Sequence, residues 1–308
     1  MRVLVTGGAG FIGGHIVDGL LAEGATVRVL DDFSTGRREN LAHNFARIEV
    51  IEGDVRDAAT CARAVKDVEV IFHEAAIPSV VRSVEDPVGT SEVNVNGTVR
   101  LLDAARHAAV SRVVYAASSS AYGDTEVLPK VESMLPTPMS PYAVAKLASE
   151  HFLAVFGRLY GMRTVALRYF NVFGPRQDPR SHYAAVVPRF VTALLHGEAP
   201  VIYGDGEQTR DFCYVQNVVR ANLLAAKADV NGEVVNVACG VRVSLVQLVA
   251  MLNELIGTKI PPQHEPARPG DVRHSLADIS RARALLGYEV SHDLRAGLQH
   301  TIEYYRKH

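Results

Sequence analysis

Residues 2–31 restrict the fold more than any other stretch. Arg2 to Val5 is a short apolar run that enters Thr6-Gly7-Gly8-Ala9-Gly10-Phe11-Ile12-Gly13. An amphipathic helix follows to about Glu23, Gly24 ends it, and Thr26 to Leu30 reads as a second strand closing on Asp31. This is a βαβ unit with glycines at its first turn. Gly8, Gly10 and Gly13 fit G-x-G-x-x-G, and Gly7, Gly10 and Gly13 fit the looser G-x-x-G-x-x-G. Glycines let the backbone turn tightly and approach a pyrophosphate, while the helix N-terminus supplies N–H groups and positive potential. An acid stands 18 residues past Gly13. Asp31 is expected to accept hydrogen bonds from an adenosine ribose and to repel a 2′-phosphate, which favours NAD over NADP. Arg37 and Arg38 read as solvated or phosphate-facing residues that leave this preference in place.

The α/β alternation continues. Ile48 to Ile51 is strand-like and runs into Gly53-Asp54-Val55, and Val68 to Phe72 runs into His73-Glu74-Ala75-Ala76. Ligands sit beyond the C-terminal ends of such strands, so Asp54 and Val55 are placed at an adenine, with Ala75 and Ala76 close to the cofactor. A long helix is expected from about Asp86 to His107. Arg112 to Ala117 is a strand ending in Ser118-Ser119-Ser120. After Thr164 to Leu167 the alternation breaks down. Helices are expected near Val186–His196, Val215–Lys227, Ser244–Leu255 and Leu294–Tyr305, with short strands near Val201 and Val234. Fold class is therefore α/β, a doubly wound parallel sheet with a smaller mixed α/β C-terminal domain. The dinucleotide-binding domain is set at 1–170, with a return of roughly 210–240, and the substrate domain at 171–308.

Ser140-Pro141-Tyr142-Ala143-Val144-Ala145-Lys146 opens a further helix. Ser140 suits the cap, Pro141 the first turn, and Gly161 the stop after Tyr160. Tyr142 and Lys146 lie at i and i+4, on one face. A cation near the phenol favours the phenolate and lowers its pKa, making Tyr142 a candidate base.

Chain-wide properties remove several classes. A formal net charge of −2 gives no basic field for nucleic acid. The apolar runs are too short for a membrane span, no signal peptide precedes the first motif, and a cytoplasmic location is expected. Cys61, Cys213 and Cys239 suggest neither a disulfide framework nor a zinc site, and the 12 histidines lack ligand spacing. No metal is expected.

With Gly7–Gly13, Asp31, Asp54, Ser118, Tyr142 and Lys146 in order, the sequence resembles an extended short-chain dehydrogenase/reductase over nearly its whole length. Arg168-Tyr169-Phe170-Asn171-Val172-Phe173-Gly174-Pro175, Arg210-Asp211-Phe212 and Arg268-Pro269-Gly270-Asp271 resemble the nucleotide-sugar branch, and most of all the UDP-hexose 4-epimerases. Ala116 to Gly123, Gln177-Asp178-Pro179 and Tyr183 to Pro188 look like the bacterial subgroup that handles N-acetylated hexosamines or their uronic acids.

The resemblance implies that NAD stays bound through the cycle. Tyr142 takes the proton of the sugar 4-hydroxyl as carbon 4 gives up hydride, Lys146 holds the nicotinamide ribose, and Ser118 orients the hydroxyl. The 4-keto sugar turns over and receives hydride on its other face. By the same resemblance the cofactor site adds Phe11, Ile12, Asp32, Phe33, Ser34, Gly36, Asn94, Tyr169 and Val172. The UDP-sugar site takes Ser79, Ser119, Ser120, Asn171, Val187, Val201, Tyr203, Arg210, Arg268, Asp271 and Ser275. Arg210, Arg268 and Asp271 would anchor pyrophosphate and uridine ribose. Ser275 stands at a position bordering the N-acetyl side, where an aromatic would narrow the pocket. Pro78 departs from a lysine that some epimerases carry near the cofactor phosphates.

A homodimer is implied, paired through the Tyr142 helix and the long helix before it. UDP-glucuronate and UDP-N-acetylglucosaminuronate 4-epimerases stay open, because Arg176 or Arg180 could meet a carboxylate. Nucleotide-sugar dehydratases want an Asp-Glu pair after the catalytic Ser/Thr, and UDP-glucuronate decarboxylases want a Glu two residues after it. Ser119 and Ser120 stand there instead. A non-catalytic dinucleotide sensor is disfavoured by Ser118, Tyr142 and Lys146 occurring together.

Overall fold

The computed structural model describes residues 1–179, 185–267 and 272–308. Seven parallel strands form the main sheet: β1 (Arg2–Thr6), β2 (Thr26–Asp31), β3 (Ile48–Glu52), β4 (Val70–His73), β5 (Arg112–Ser118), β6 (Arg163–Tyr169) and β7 (Glu233–Val237). Their order is β7-β6-β5-β4-β1-β2-β3. The order reverses between β1 and β4, which opens a crevice at the carboxyl ends of those two strands.

Strands covered on both faces carry continuous apolar runs, and these do. Alternate residues feed separate cores. Val3, Val5, Val27, Val29, Val114 and Leu167 face α1 (Phe11–Ala22), through Ile16, Val17 and Leu20. Leu4, Leu30, Ile71, Val113 and Ala166 face the opposite layer. That layer holds α2 (Ala58–Ala64), α3 (Thr98–His107) and α4 (Pro141–Tyr160). Each fully buried aliphatic side chain contributes about 1.5–3 kcal/mol, so the period-two pattern fixes the register.

After β6 the chain leaves the sheet, returns through α6 (Val215–Ala225) against α1, and adds β7 beside β6. The strand expected near Val234, within the expected return of roughly 210–240, is thus the edge of the main sheet. A third core joins α5 (Val186–Leu195), α7 (Leu245–Ile256) and α8 (Leu294–Lys307) around Phe190, Phe212, Leu248 and Leu298. Its strands are short: Val201–Tyr203 pairs with Gln263–Glu265, and Thr209–Arg210 pairs with Val243–Ser244.

The long helix expected from Asp86 to His107 runs without a break from Pro87 to His107, with a change of winding inside it. Pro87–Ser91 is α-helical, Glu92–Gly97 is a π-turn, and α3 follows. The π-turn places Asn94, which is 1% exposed, so that its amide donates to Ile77 O and accepts from Ile77 N.

Candidate active site

The glycine turn is built for close approach. Gly7 has φ +67°, a conformation that side chains resist, and a Cβ there would sit 2.7 Å from Ala75 N. A Cβ on Gly13 would lie 2.2 Å from Gly7 O. Helix α1 begins at Phe11 with Gly10 as its cap, without a capping side chain and without an acid in its first turn. Its first N–H groups and positive dipole end are therefore left for a ligand, the arrangement that suits a pyrophosphate.

Asp31 ends β2, and its carboxylate accepts from Ala9 N (2.8 Å) and Phe33 N (2.9 Å). A carboxylate has about four acceptor sites, so two remain for ribose hydroxyls. Burial holds its pKa above the usual range. Asp32 accepts from both Ser34 N and Ser34 Oγ. Gly36 lies against Asp31 and Ala9, where a Cβ would clash. Arg37 pairs with Asp178, and Arg38 pairs with Glu52 and covers the Phe33 ring. Both arginines are thus paired with carboxylates of the protein. Asp54 is gripped by Arg56, which lowers its pKa, and lies with Val55 past the end of β3.

The reactive side chains meet at the carboxyl ends of β4, β5 and β6. Ser140 Oγ accepts from Ala143 N, Pro141 occupies the first turn of α4, and Gly161 closes it with φ +71°. Tyr142 is half-buried on the first turn, and Ser118 at the end of β5 lies near enough for its hydroxyl to oppose the rise in the Tyr142 pKa. Ser118 Oγ also accepts from Ser120 N (3.2 Å) and Ser120 Oγ (2.9 Å), which fixes its orientation. Lys146 is 3% exposed and donates to Ala116 O at 2.7 Å. Burial lowers its pKa, opposed by Glu74 and Glu150.

The sequence had Lys146 making the Tyr142 phenol more acidic. The structure tips the balance the other way: burial raises the Tyr142 pKa, Glu74 adds to the rise, and the nearby Ser118 opposes it. The lysine's ammonium is committed to a backbone carbonyl, and desolvation of the phenolate dominates.

The residues expected at the UDP-sugar divide into groups. Asn171, Val187, Val201, Tyr203 and Arg210 line one cleft of about 230 Å³, and Val172, expected at the cofactor, lines it too. Asn171 reaches Ser275 Oγ at 3.4 Å and Asp211 O at 3.2 Å, so Ser275 adjoins that cleft. Arg210 donates to the carbonyls of Thr209 and Arg273. Ser119 and Ser120 lie on the turn after β5. Ser79 Oγ caps the short helix Val80–Glu85 by accepting from Arg82 N. Tyr169 donates to Glu74. Arg268, Asp271 and Arg180 lie outside the described residues. A larger cleft of about 580 Å³, lined by His15, Asp18, Arg176, Tyr214, His292 and His300 among others, contains none of the reactive residues.

Sequence reasoning missed Arg189, Gln208, Phe212 and Leu245 in the smaller cleft, and gave Glu74 no role. A charged residue at the end of an otherwise apolar strand was the available signal for Glu74. The cleft residues gave none, since they converge only through tertiary packing. Asp211, fully buried, accepts from Cys239 N, Gly240 N and Ala277 N, and so ties the cleft's loops together. Among the described residues no group of three His, Cys, Asp or Glu side chains could hold a metal. Nor is any helix there long and apolar enough to cross a membrane.

Comparison with known proteins agrees with this geometry. The UDP-glucose 4-epimerase of Mycolicibacterium smegmatis is 44% identical, over 99% of each chain. The crystal structure of the Thermotoga maritima UDP-glucose 4-epimerase with UDP-glucose superposes with a TM-score of 0.95 at 40% identity, covering 100% of this chain and 99% of that one. The UDP-N-acetylglucosamine 4-epimerase of Methanobrevibacter ruminantium, solved with UDP-N-acetylmuramic acid, gives the same TM-score of 0.95 and 40% identity, covering 99% and 98%. The family model described as "NAD dependent epimerase/dehydratase family" matches residues 3–238. With its glycine turn, its uncapped α1 and its Ser118–Tyr142–Lys146 edge, the chain belongs to the NAD-dependent epimerase/dehydratase family.

Proposed function

We propose that this enzyme is a UDP-sugar 4-epimerase that prefers UDP-N-acetylglucosamine and UDP-N-acetylgalactosamine and also accepts UDP-glucose and UDP-galactose. The observation that carries the reading is the placing of Tyr142 on the first turn of α4 near Ser118 at the end of β5, with Lys146 buried on the same helix and the glycine turn at the start of α1. Bound NAD would supply a reversible hydride acceptor for sugar carbon 4. Gly7, Gly10, Gly13 and the first turn of α1 would hold its pyrophosphate, and Asp31 would hold the adenosine ribose. Tyr142 receives the proton of the 4-hydroxyl and returns it. Ser118 orients that hydroxyl. General acid–base assistance of this kind supplies about 10²–10⁴-fold. Neither Ser119 nor Ser120 can protonate a leaving hydroxyl, so the sugar keeps all its oxygens.

Ser275 supports the N-acetyl preference. Its small side chain sits beside Asn171 at the edge of the cleft and leaves space where an aromatic would fill it. Arg210, Arg268 and Asp271 are assigned to the pyrophosphate and the uridine ribose.

The same reading takes the enzyme as a cytoplasmic homodimer. Val144, Phe152, Val155 and Leu159 form an exposed apolar stripe on one face of α4, next to exposed Val84 and Val88. Helix stripes of this kind are usually covered. Sedimentation at working concentration is expected to give a dimer, and a monomer would refute the assembly.

The substrate reading is tested with purified protein and no added cofactor, offered UDP-glucose, UDP-galactose, UDP-glucuronate and both UDP-N-acetylhexosamines. Preferred turnover of the N-acetylated pair is expected. A strong preference for the plain hexoses or the uronate would keep the chemistry and discard the argument from Ser275.

A further inference from the structure

Arg176 follows the cleft-lining Val172 and Phe173, yet its side chain reaches back to the cofactor half of the molecule. The guanidinium is 11% exposed. Nη1 donates to Asn40 O at 2.9 Å, and Nη2 donates to Asp18 Oδ2 and His15 Nδ1, each at 2.6 Å. His15 Nε2 meets Pro175 O at 3.0 Å, which makes Nε2 the donor of that ring and Nδ1 its acceptor. Burial, with Arg176 beside it, holds the His15 pKa at about 4, so the ring is neutral and suited to accept. The backbone of Arg176 has φ +68°, a region that side chains resist, and it is kept there by this set of bonds.

The partners of this one guanidinium lie on two segments given above to NAD. His15 and Asp18 stand on α1, whose first turn is left open for a pyrophosphate. Asn40 ends the short turn Arg38–Asn40, which follows the Asp31 loop. The Asn40 side-chain amide donates to Ala9 O in the glycine turn at 2.8 Å, and Arg37 N donates to the same carbonyl at 2.9 Å. Ala9 N in turn donates to Asp31. A planar, always charged group with several fixed donors can bridge segments in this way, and an ammonium cannot copy it. We propose that Arg176 is a positioning residue for NAD: by tying Asn40 to α1 it holds the glycine turn and the Asp31 loop together and slows release of the bound dinucleotide. This rests on the assignment of NAD to those two segments. The C-terminal half thereby takes part in retaining the cofactor. Arg176, which the sequence offered as a partner for a sugar carboxylate, lines the larger cleft instead and is committed to this brace.

The test measures the NAD carried by purified protein, its rate of loss during dialysis, and kcat and KM with saturating NAD added. Arg176→Ala is expected to lose NAD about 10- to 100-fold faster than wild type, the scale of lost charge-assisted hydrogen bonds. Added NAD should restore most of its kcat, with KM for the UDP-sugar near the wild-type value. Arg176→Lys keeps the charge but cannot reach Asn40 O, His15 and Asp18 at once, so its rate of loss should fall between the two. Retention by Arg176→Ala equal to wild type overturns the proposal. So does fast loss with a kcat that saturating NAD does not restore, the mark of a merely structural role. If Arg176→Ala does not fold, Arg176→Lys carries the test, and wild-type retention there counts against the proposal. Wild type that carries and binds no NAD would defeat the cofactor reading itself. NAD held by wild type and equally firmly by the variants defeats only the role of Arg176.

Discussion

Tyr142 and Lys146 stand on a 20-residue helix seated on a parallel sheet, whereas Asn171, Arg210 and Ser275 stand on two-residue strands and loops. The first region is fixed by register and continuous burial. Val113, Tyr115 and Ala117 of β5 point into one core and Val114 and Ala116 into the other, which leaves Ser118 at a defined height. The second is fixed by single side chains that reach across the chain, as when Asp211 gathers three backbone N–H groups. Chemistry that needs a reacting group placed to a fraction of an ångström sits on the rigid support. In the proposed reading, selectivity between sugars sits where one substitution reshapes the pocket without disturbing the sheet.

The largest expected effect breaks the first region alone. Tyr142→Phe lowers kcat by about 10²–10⁴-fold, with bound NAD largely intact when the purified protein is extracted and assayed for it. Near-normal turnover would remove Tyr142 from its role. Gly13→Ala comes next. Its Cβ, 2.2 Å from the Gly7 carbonyl oxygen, forces the turn apart, and overpacking of this kind costs about 1–3 kcal/mol. Loss of bound NAD and a lower melting temperature are expected together; full NAD occupancy would show that the turn has slack.

The second region is probed through Asp211. Asp211→Asn replaces an acceptor of three N–H groups by a mixed donor and acceptor, at a cost of about 1–3 kcal/mol, read as a fall in melting temperature. A pH dependence accompanies it. Burial pushes the Asp211 carboxyl up to about 6, above its unfolded value of about 4. Between those values the folded chain holds more protons than the unfolded one, so this group's contribution to stability falls as pH rises from 4 to 6. Thermal melts across that range should lose this component of the slope in Asp211→Asn, and identical slopes would show that Asp211 titrates normally. The smallest effect is a change of preference. Ser275→Tyr is expected to reduce kcat/KM for UDP-N-acetylglucosamine relative to UDP-glucose by about tenfold or more, the scale of a modest pocket misfit. An unchanged ratio would move the N-acetyl contact elsewhere.

What the sequence made legible follows the same division. The glycine turn, the caps of α4 and the strand ends are local signals, spread over a few residues each. They placed Ser118, Tyr142 and Lys146 on the right elements before any contact was known. Signals of longer range were not legible. Asn94 fastens Ile77 across 17 residues, Glu74 meets Tyr169 across 95, and Asp211 meets Ala277 across 66. A single sequence carries no mark of such pairs. The acidity of Tyr142 failed for a related reason: spacing on a helix shows a neighbouring cation, but not the burial that outweighs it. Part of the proposed pyrophosphate anchor, Arg268 and Asp271, lies outside the described residues, so its placement still rests on resemblance.

The most direct test of the central claim uses UDP-N-acetylglucosamine carrying deuterium at sugar carbon 4, purified enzyme and no added cofactor. Retention of the deuterium at carbon 4 of the UDP-N-acetylgalactosamine formed is the expected result, because the hydride removed there is the one returned. Product that has exchanged its label for solvent hydrogen would contradict the account and point to proton abstraction from carbon in place of hydride transfer.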